Sequence, residues 1–289
     1  MSRRPGSKTA TSVWAIERER GNQRRDHLAT EEPMEIRLVA HGVRRAVAVT
    51  MRTPGHDFEL AVGFLYGEGV VGKQEDIARI SYCLETDSDA AQQYNIVNVG
   101  LRPHVAPDLT PLERRFYTTS ACGVCGKASL EALQMRSVPA IPPGPEIPAA
   151  VLYGLPDKLR RAQGVFEKTG GLHAAALFDT DGQLVAVRED VGRHNAVDKL
   201  VGWALLAGKL PLRRCILLVS GRASFEIVQK CVAAGIPIVC AVSAPSSLAV
   251  DLAHEYGITL IGFLRGERCN VYTRRERVTL PAASEPPAI

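Results

Sequence analysis

Ile236-Pro-Ile-Val-Cys-Ala-Val242 is short, apolar and rich in β-branched residues, and it lies between Ser224 to Ala234 and Ser247 to Tyr256, two segments with helical apolar spacing. A strand wetted on one face alternates apolar and polar residues, so a run with no polar position reads as a strand covered on both faces. Its neighbours repeat the pattern. Ile216 to Ser220 and Thr259 to Leu264 are further apolar strands, and a helix is expected from about Asn195 to Ala207. An interrupted helix over Ala149 to Gln163 comes earlier, followed by a hairpin from His173 to Phe178 and Leu184 to Val187 around Thr180-Asp181-Gly182. Strand and helix in alternation make residues 149–280 an α/β domain of three layers, α/β/α.

Upstream, Val138 to Pro148 carries five prolines and reads as an extended connection. Residues 33–137 form a smaller N-terminal α+β portion. In it, Met34 to Ala40 and Val43 to Thr50 flank His41-Gly42 as a hairpin, and a helix runs from the caps and breaker of Thr53-Pro-Gly-His-Asp57 to Gly67. His56 reads as a polar group at that helix start. Strands are expected at Ile77 to Leu84 and Tyr94 to Leu101, then a cysteine loop and a helix through Met135. Residues 1–32 are polar and without apolar periodicity, which reads as a mobile basic arm, and residues 281–289 as a tail.

The 289 residues are 46% hydrophobic, enough for a large core, and the formal net charge is a mild +4. Aromatic content of 6% and the lack of a long Lys/Arg run argue against nucleic acid as a partner. The basic start, Met1 to Lys8, is followed by no apolar segment, and no run of eighteen apolar residues occurs, so a cytoplasmic protein away from the membrane is expected. The odd count of seven cysteines agrees with a reducing compartment.

Cys122 and Cys125, in Tyr117-Thr-Thr-Ser-Ala-Cys-Gly-Val-Cys-Gly-Lys-Ala-Ser129, are the only close cysteine pair. A helix start and a cation such as Lys127 lower a thiol's pKa, which suits sulfur chemistry at neutral pH. Half of a zinc site, a redox couple and an accident of composition are equally open on spacing alone. Zinc would need a second knuckle, and Cys83, Cys215, Cys231, Cys240 and Cys269 are isolated. All but Cys269, which follows a polar turn, stand in or beside apolar runs as small hydrophobes.

Ligands of such sheets collect where strands lead into helices. Ser220-Gly-Arg-Ala-Ser224 offers backbone N–H groups, hydroxyls and Arg222 to an anion; Glu189-Asp-Val-Gly-Arg-His-Asn195 offers carboxylates, Arg193 and His194 around a glycine. Ser243-Ala-Pro-Ser-Ser247 is a third, weaker helix start. Neither a Walker A nor a Gly-x-Gly-x-x-Gly sequence occurs, which speaks against ATP or NAD. Each loop alone suits ordinary capping; the three together favour a nucleotide-like ligand.

Five motifs in order resemble the formate dehydrogenase accessory sulfurtransferase (FdhD) family: Thr119 to Gly126, Thr169-Gly-Gly-Leu-His-Ala174, Arg188 to Lys199, Ser220 to Ser224, and Gly262 to Thr273. The likeness runs from about residue 34 to 280. It implies a cytoplasmic homodimer with a cytidine-deaminase-like domain on a mixed sheet. It also implies transfer of sulfur from a cysteine desulfurase to the molybdenum bis(molybdopterin guanine dinucleotide) cofactor destined for formate dehydrogenase. By the same resemblance Cys122 bears the persulfide, Cys125 is its partner, and Phe263, Leu264, Arg265, Gly266, Glu267 and Arg268 bind the cofactor, for which GDP is a mimic. Arg193, Arg222, Arg265 and Arg268 suit its pyrophosphates, and one of Glu189, Asp190 and Asp198 suits the donor edge of guanine. Ser220, Gly221, His194 and Asp190 complete the expected cofactor site, and no resident metal is expected. The zinc-deaminase signature is absent, since Ala121 and not proline precedes Cys122. A thiol-disulfide oxidoreductase and a non-catalytic cofactor-binding chaperone are the competing readings.

Overall fold

The computed structural model describes residues 5–83, 94–107 and 138–281. The cysteine loop with Cys122 and Cys125 and the helix expected after it lie outside the described residues. Residues 8–29, within the stretch 1–32 that reads from sequence as a mobile arm, form a long antiparallel ribbon of β1 (Lys8–Glu17) and β2 (Arg20–Ala29). Trp14, Ile16 and Leu28 are exposed on it. Cross-strand polar pairs such as Gln23 Nε2 to Ser12 Oγ (2.8 Å) support it in place of a buried apolar face, so hydrophobic period could not reveal it.

The N-terminal sheet has the order β4-β3-β6-β5, from β3 (Glu32–Ala40), β4 (Val43–Arg52), β5 (Ile77–Tyr82) and β6 (Ile96–Leu101). The β3–β4 hairpin turns at His41-Gly42 as expected. Met34, Ile36, Leu38, Val97 and Val99 bury one face of this sheet under helix α1 (Asp57–Gly67). His56 precedes α1 without capping it; its Nδ1 lies 3.1 Å from Glu59.

The larger sheet is mixed. Its strands are β8 (His173–Phe178), β9 (Leu184–Asp190), β10 (Ile216–Val219), β11 (Ile238–Ala241), β12 (Thr259–Arg265) and β13 (Arg268–Val271), in the order β13-β12-β11-β10-β8-β9. β10, β11 and β12 run parallel, while β8, β9 and β13 each pair antiparallel. Alternate residues of the strands enter two separate cores, as their unbroken apolar character requires. Leu177, Leu217, Val219, Val239 and Leu260 pack under α5 (Arg193–Leu206), α6 (Phe225–Ala234) and α7 (Ser247–Glu255). Phe178, Ile216, Leu218, Ile238 and Cys240 face α2 (Ala149–Tyr153) and α3 (Leu155–Ala162). A short α4 (Phe166–Thr169) touches β2, and β7 (Ile147–Pro148) pairs with β14 (Val278–Thr279).

Helices α1 and α5 join the two sheets by close backbone contact. A Cβ on Gly63 would fall 1.8 Å from the Asp198 carbonyl oxygen, and one on Gly202 would fall 1.9 Å from that of Glu59. Only glycine fits at either position.

Candidate functional site

The topology brings four loops to one edge of the large sheet. Parallel β10, β11 and β12 end there, β9 ends there, and antiparallel β8 begins there, with His173 opposite Asp190. A belt of hydrogen bonds links the loops. His194 Nε2 lies 3.0 Å from Ser224 Oγ; Ser220 Oγ accepts the Ala174 N–H at 2.9 Å; Ser243 N–H reaches Gly221 O at 3.4 Å; and Ser246 N–H reaches Ala223 O at 3.0 Å. Phe263 N–H donates to Ser243 O and Arg265 Nε to Val242 O, both at 3.1 Å, which seats the β12–β13 hairpin beside the others.

That hairpin was not foreseen; Phe263 to Arg268 spans the end of β12, the Gly266-Glu267 turn and the first residue of β13. Phe263 has φ 54 and is 40% exposed, a left-handed bulky residue held at a break in register. Arg265, Gly266, Glu267 and Arg268 are exposed around it. Leu264 differs from its expected role: it is fully buried in the α2–α3 core, because the strand's alternation turns it away from the edge.

The three carboxylates proposed for guanine are all engaged elsewhere. Glu189 accepts the N–H groups of Val165 (3.0 Å) and Phe166 (2.8 Å). Asp198 pairs with Lys230 at 2.6 Å, and burial pushes its carboxyl upward against that cation. Asp190 is wholly buried and takes four donors, Lys199 Nζ (2.6 Å), Gly192 N (2.8 Å), Asn195 Nδ2 (3.0 Å) and Thr53 N (3.1 Å). Its expected place among the ligand contacts is therefore corrected: it holds the loop.

The three helix starts differ. Ser246 caps α7 conventionally, its Oγ accepting the Ala249 N–H. At α6, Ser224 makes no cap bond, and Glu226 is pushed down to about 2, by its bond to His194 first and by Ser224 and its own backbone N–H as well. Helix α5 starts from Gly192, which has no side chain to cap it. At that start the buried Nε of Arg193 has no partner; among the described residues Asn98 Oδ1 is the only other such side-chain atom. An anion seated there would meet a guanidinium and free backbone N–H groups together.

His173, Asn195, Lys199 and Glu226 belong to this edge although sequence reading assigned them no site role. A Cβ on Gly221 would lie 3.3 Å from His173 Nδ1, so glycine makes room for that ring. Burial, reinforced by Arg193 and His194 and opposed by Asp190, pushes the His173 imidazole toward its neutral form. Its place directly after Gly170-Gly-Leu172, inside a quoted motif, was the available signal.

The five described cysteines are unpaired thiols. Burial raises the pKa of Cys215, Cys231, Cys240 and Cys269, so none of these four is poised as a nucleophile. Among the described residues no cluster of three metal-ligating side chains occurs, and no helix is long and apolar enough to cross a membrane.

Fold and edge together define a mixed α/β protein whose strand ends gather loops suited to an anion. The sequence matches the FdhD/NarQ family over residues 29–279, and the chain belongs to that family. It is 57% identical over 264 residues to the sulfur carrier protein FdhD of Streptomyces avermitilis, covering 90% of this chain and 92% of that one. It is 56% identical over 261 residues to the protein of the same name from Mycobacterium tuberculosis, covering 89% and 93%. A crystal structure from Desulfotalea psychrophila, assigned as a formate dehydrogenase accessory protein, superposes with a TM-score of 0.72 at 27% identity, over 94% of this chain and 99% of that one.

Proposed function

We propose that this protein is a sulfur carrier serving formate dehydrogenase, which binds the molybdenum bis(molybdopterin guanine dinucleotide) cofactor as substrate at the open sheet edge. The observation that carries the reading is the start of α5, where Arg193 has an unpaired buried Nε beside uncapped N–H groups. A pyrophosphate supplies the oxygens that this group lacks. Arg222, Arg265 and Arg268 surround the same edge as exposed cations, and Phe263 offers an exposed ring for base stacking.

Sulfur arrives at Cys122, with Cys125 as its partner. The Cys122 thiolate attacks the terminal sulfur of a cysteine desulfurase persulfide; that S–S bond breaks, the desulfurase thiolate leaves, and Cys122 holds the persulfide. The raised thiols of Cys215, Cys231, Cys240 and Cys269 favour the pair at 122 and 125 for this chemistry. The reading places the protein in the cytoplasm as a homodimer. It also takes the large sheet as cytidine-deaminase-like, which its mixed pairing and two covered faces support.

Incubation with a cysteine desulfurase and cysteine, followed by intact mass, tests the carrier step. One added sulfur is expected on the wild type and none on Cys122→Ala. Equal loading of both proteins would remove Cys122 from the mechanism. A disulfide between Cys122 and Cys125 in place of the persulfide would favour an oxidoreductase.

A further inference from the structure

Residues 190–192 are tied to the N-terminal sheet and not only to their own. Beyond its bond to Asp190, Lys199 Nζ donates to Thr53 O (2.9 Å) and Glu189 O (3.3 Å). Thr53 N–H donates to Asp190 Oδ2, and Thr53 Oγ1 accepts the Val191 N–H at 3.2 Å. Asn195 completes the knot: its Nδ2 also donates to Met51 O at 2.7 Å, and its Oδ1 accepts from Thr50 Oγ1 at 3.2 Å. Both ions of the pair are buried, Lys199 at 1% and Asp190 at 0% exposure.

A buried ion pair gains little over well-packed apolar residues of the same volume, because desolvation offsets its attraction. What it supplies here is direction. Lys199 aims its ammonium at three oxygens, and Asp190 gathers four donors, from the end of β4, the turn and the first two turns of α5. No atom of either group remains for a ligand, so any influence on binding must pass through Arg193 and His194, the residues this turn delivers to the edge.

We propose that Asp190 and Lys199, with Asn195, are positioning residues that lock the turn before α5 onto the end of β4, so that the N-terminal sheet sets where the Arg193 guanidinium meets a phosphate. The inference rests on the phosphate-binding reading of that edge. Nothing in it requires Asp190 or Lys199 to touch the ligand. It assigns to the N-terminal sheet a part in cofactor binding, at a distance from the belt of loops itself.

Calorimetric titration with GDP and with guanosine, on wild type, Lys199→Met and Asn195→Ala, tests it. Both variants are expected to bind GDP roughly tenfold more weakly, the equivalent of one misaligned charge-assisted hydrogen bond, with guanosine affinity unchanged. A purely structural role would lower thermal stability and weaken both ligands alike, so the GDP-to-guanosine ratio separates the two. If Lys199→Met does not fold, Asn195→Ala decides, since it leaves the ion pair in place. Wild-type binding of GDP with unchanged affinity in folded variants overturns the inference alone. Failure of the wild type to bind GDP defeats the reading of the edge, and the inference with it.

Discussion

The two ends of the large sheet are both built around arginines, and the arginines are used in opposite ways. At the closed end, where β12 begins, Arg277 is buried and its guanidinium donates to Gly144 O (2.8 Å), Gly257 O (2.7 Å), Thr259 Oγ1 (3.2 Å) and Pro142 O (2.8 Å). It pins the proline-rich connection to the core, helped by the Ile141 N–H to Tyr256 O bond at 2.8 Å. At the open end, Arg193 keeps its buried Nε unpaired and Arg222 is exposed. An arginine whose every nitrogen donates to the protein is a strut, whereas one with an unpaired nitrogen beside uncapped N–H groups can take an anion. The difference lies in the partners and not in the residue type.

The largest expected effect is at the closed end. Arg277→Ala strands the carbonyls of Pro142, Gly144 and Gly257, and should lower stability by about 3 kcal/mol in urea unfolding, with GDP affinity unchanged. A loss of GDP affinity in folded Arg277→Ala protein would erase the division of labour between the ends.

A smaller effect separates the helix starts. Glu226, held at about 2 against an ordinary 4.5, stabilises the fold above about pH 4.5 and loses that contribution as pH falls toward 2. Glu226→Gln should therefore be less stable than wild type at neutral pH and converge with it near pH 2, as read from urea midpoints across the acid range. A pH-independent gap would mean that the Glu226 carboxyl titrates alike in the folded and unfolded chain, and that its contacts at the α6 start do not favour the carboxylate.

The smallest effect concerns strain. Phe263→Gly relieves a left-handed backbone at φ 54 and should raise stability by about 1 kcal/mol while weakening GDP and guanosine alike, since the ring is assigned to the base. Unchanged binding of both ligands would free Phe263 from that role.

Much of the fold was legible because it is written in period and punctuation. Ile236 to Val242 reads as a two-faced strand, and β11 is covered by α6 and α7 on one side and meets the α2–α3 core on the other. His41-Gly42 reads as a hairpin turn and is one. The ribbon β1–β2 was invisible because it buries no apolar face, and β13 because four residues with intermediate or exposed positions carry little pattern. At the sheet edge, the loops after the strands were legible in the sequence but their hydrogen-bond partners were not. Asp190 looked like a ligand contact because nothing local reveals Thr53, which donates to it from another sheet. Leu264 was placed by its motif, whereas strand alternation decides its face.

The most direct test is calorimetric titration of GDP into wild type, Arg193→Ala and Arg277→Ala. The account predicts equal binding by wild type and folded Arg277→Ala, and loss of at least about tenfold in Arg193→Ala, as expected for one guanidinium–phosphate contact. Equal affinity in all three proteins, or loss in Arg277→Ala alone, would contradict it.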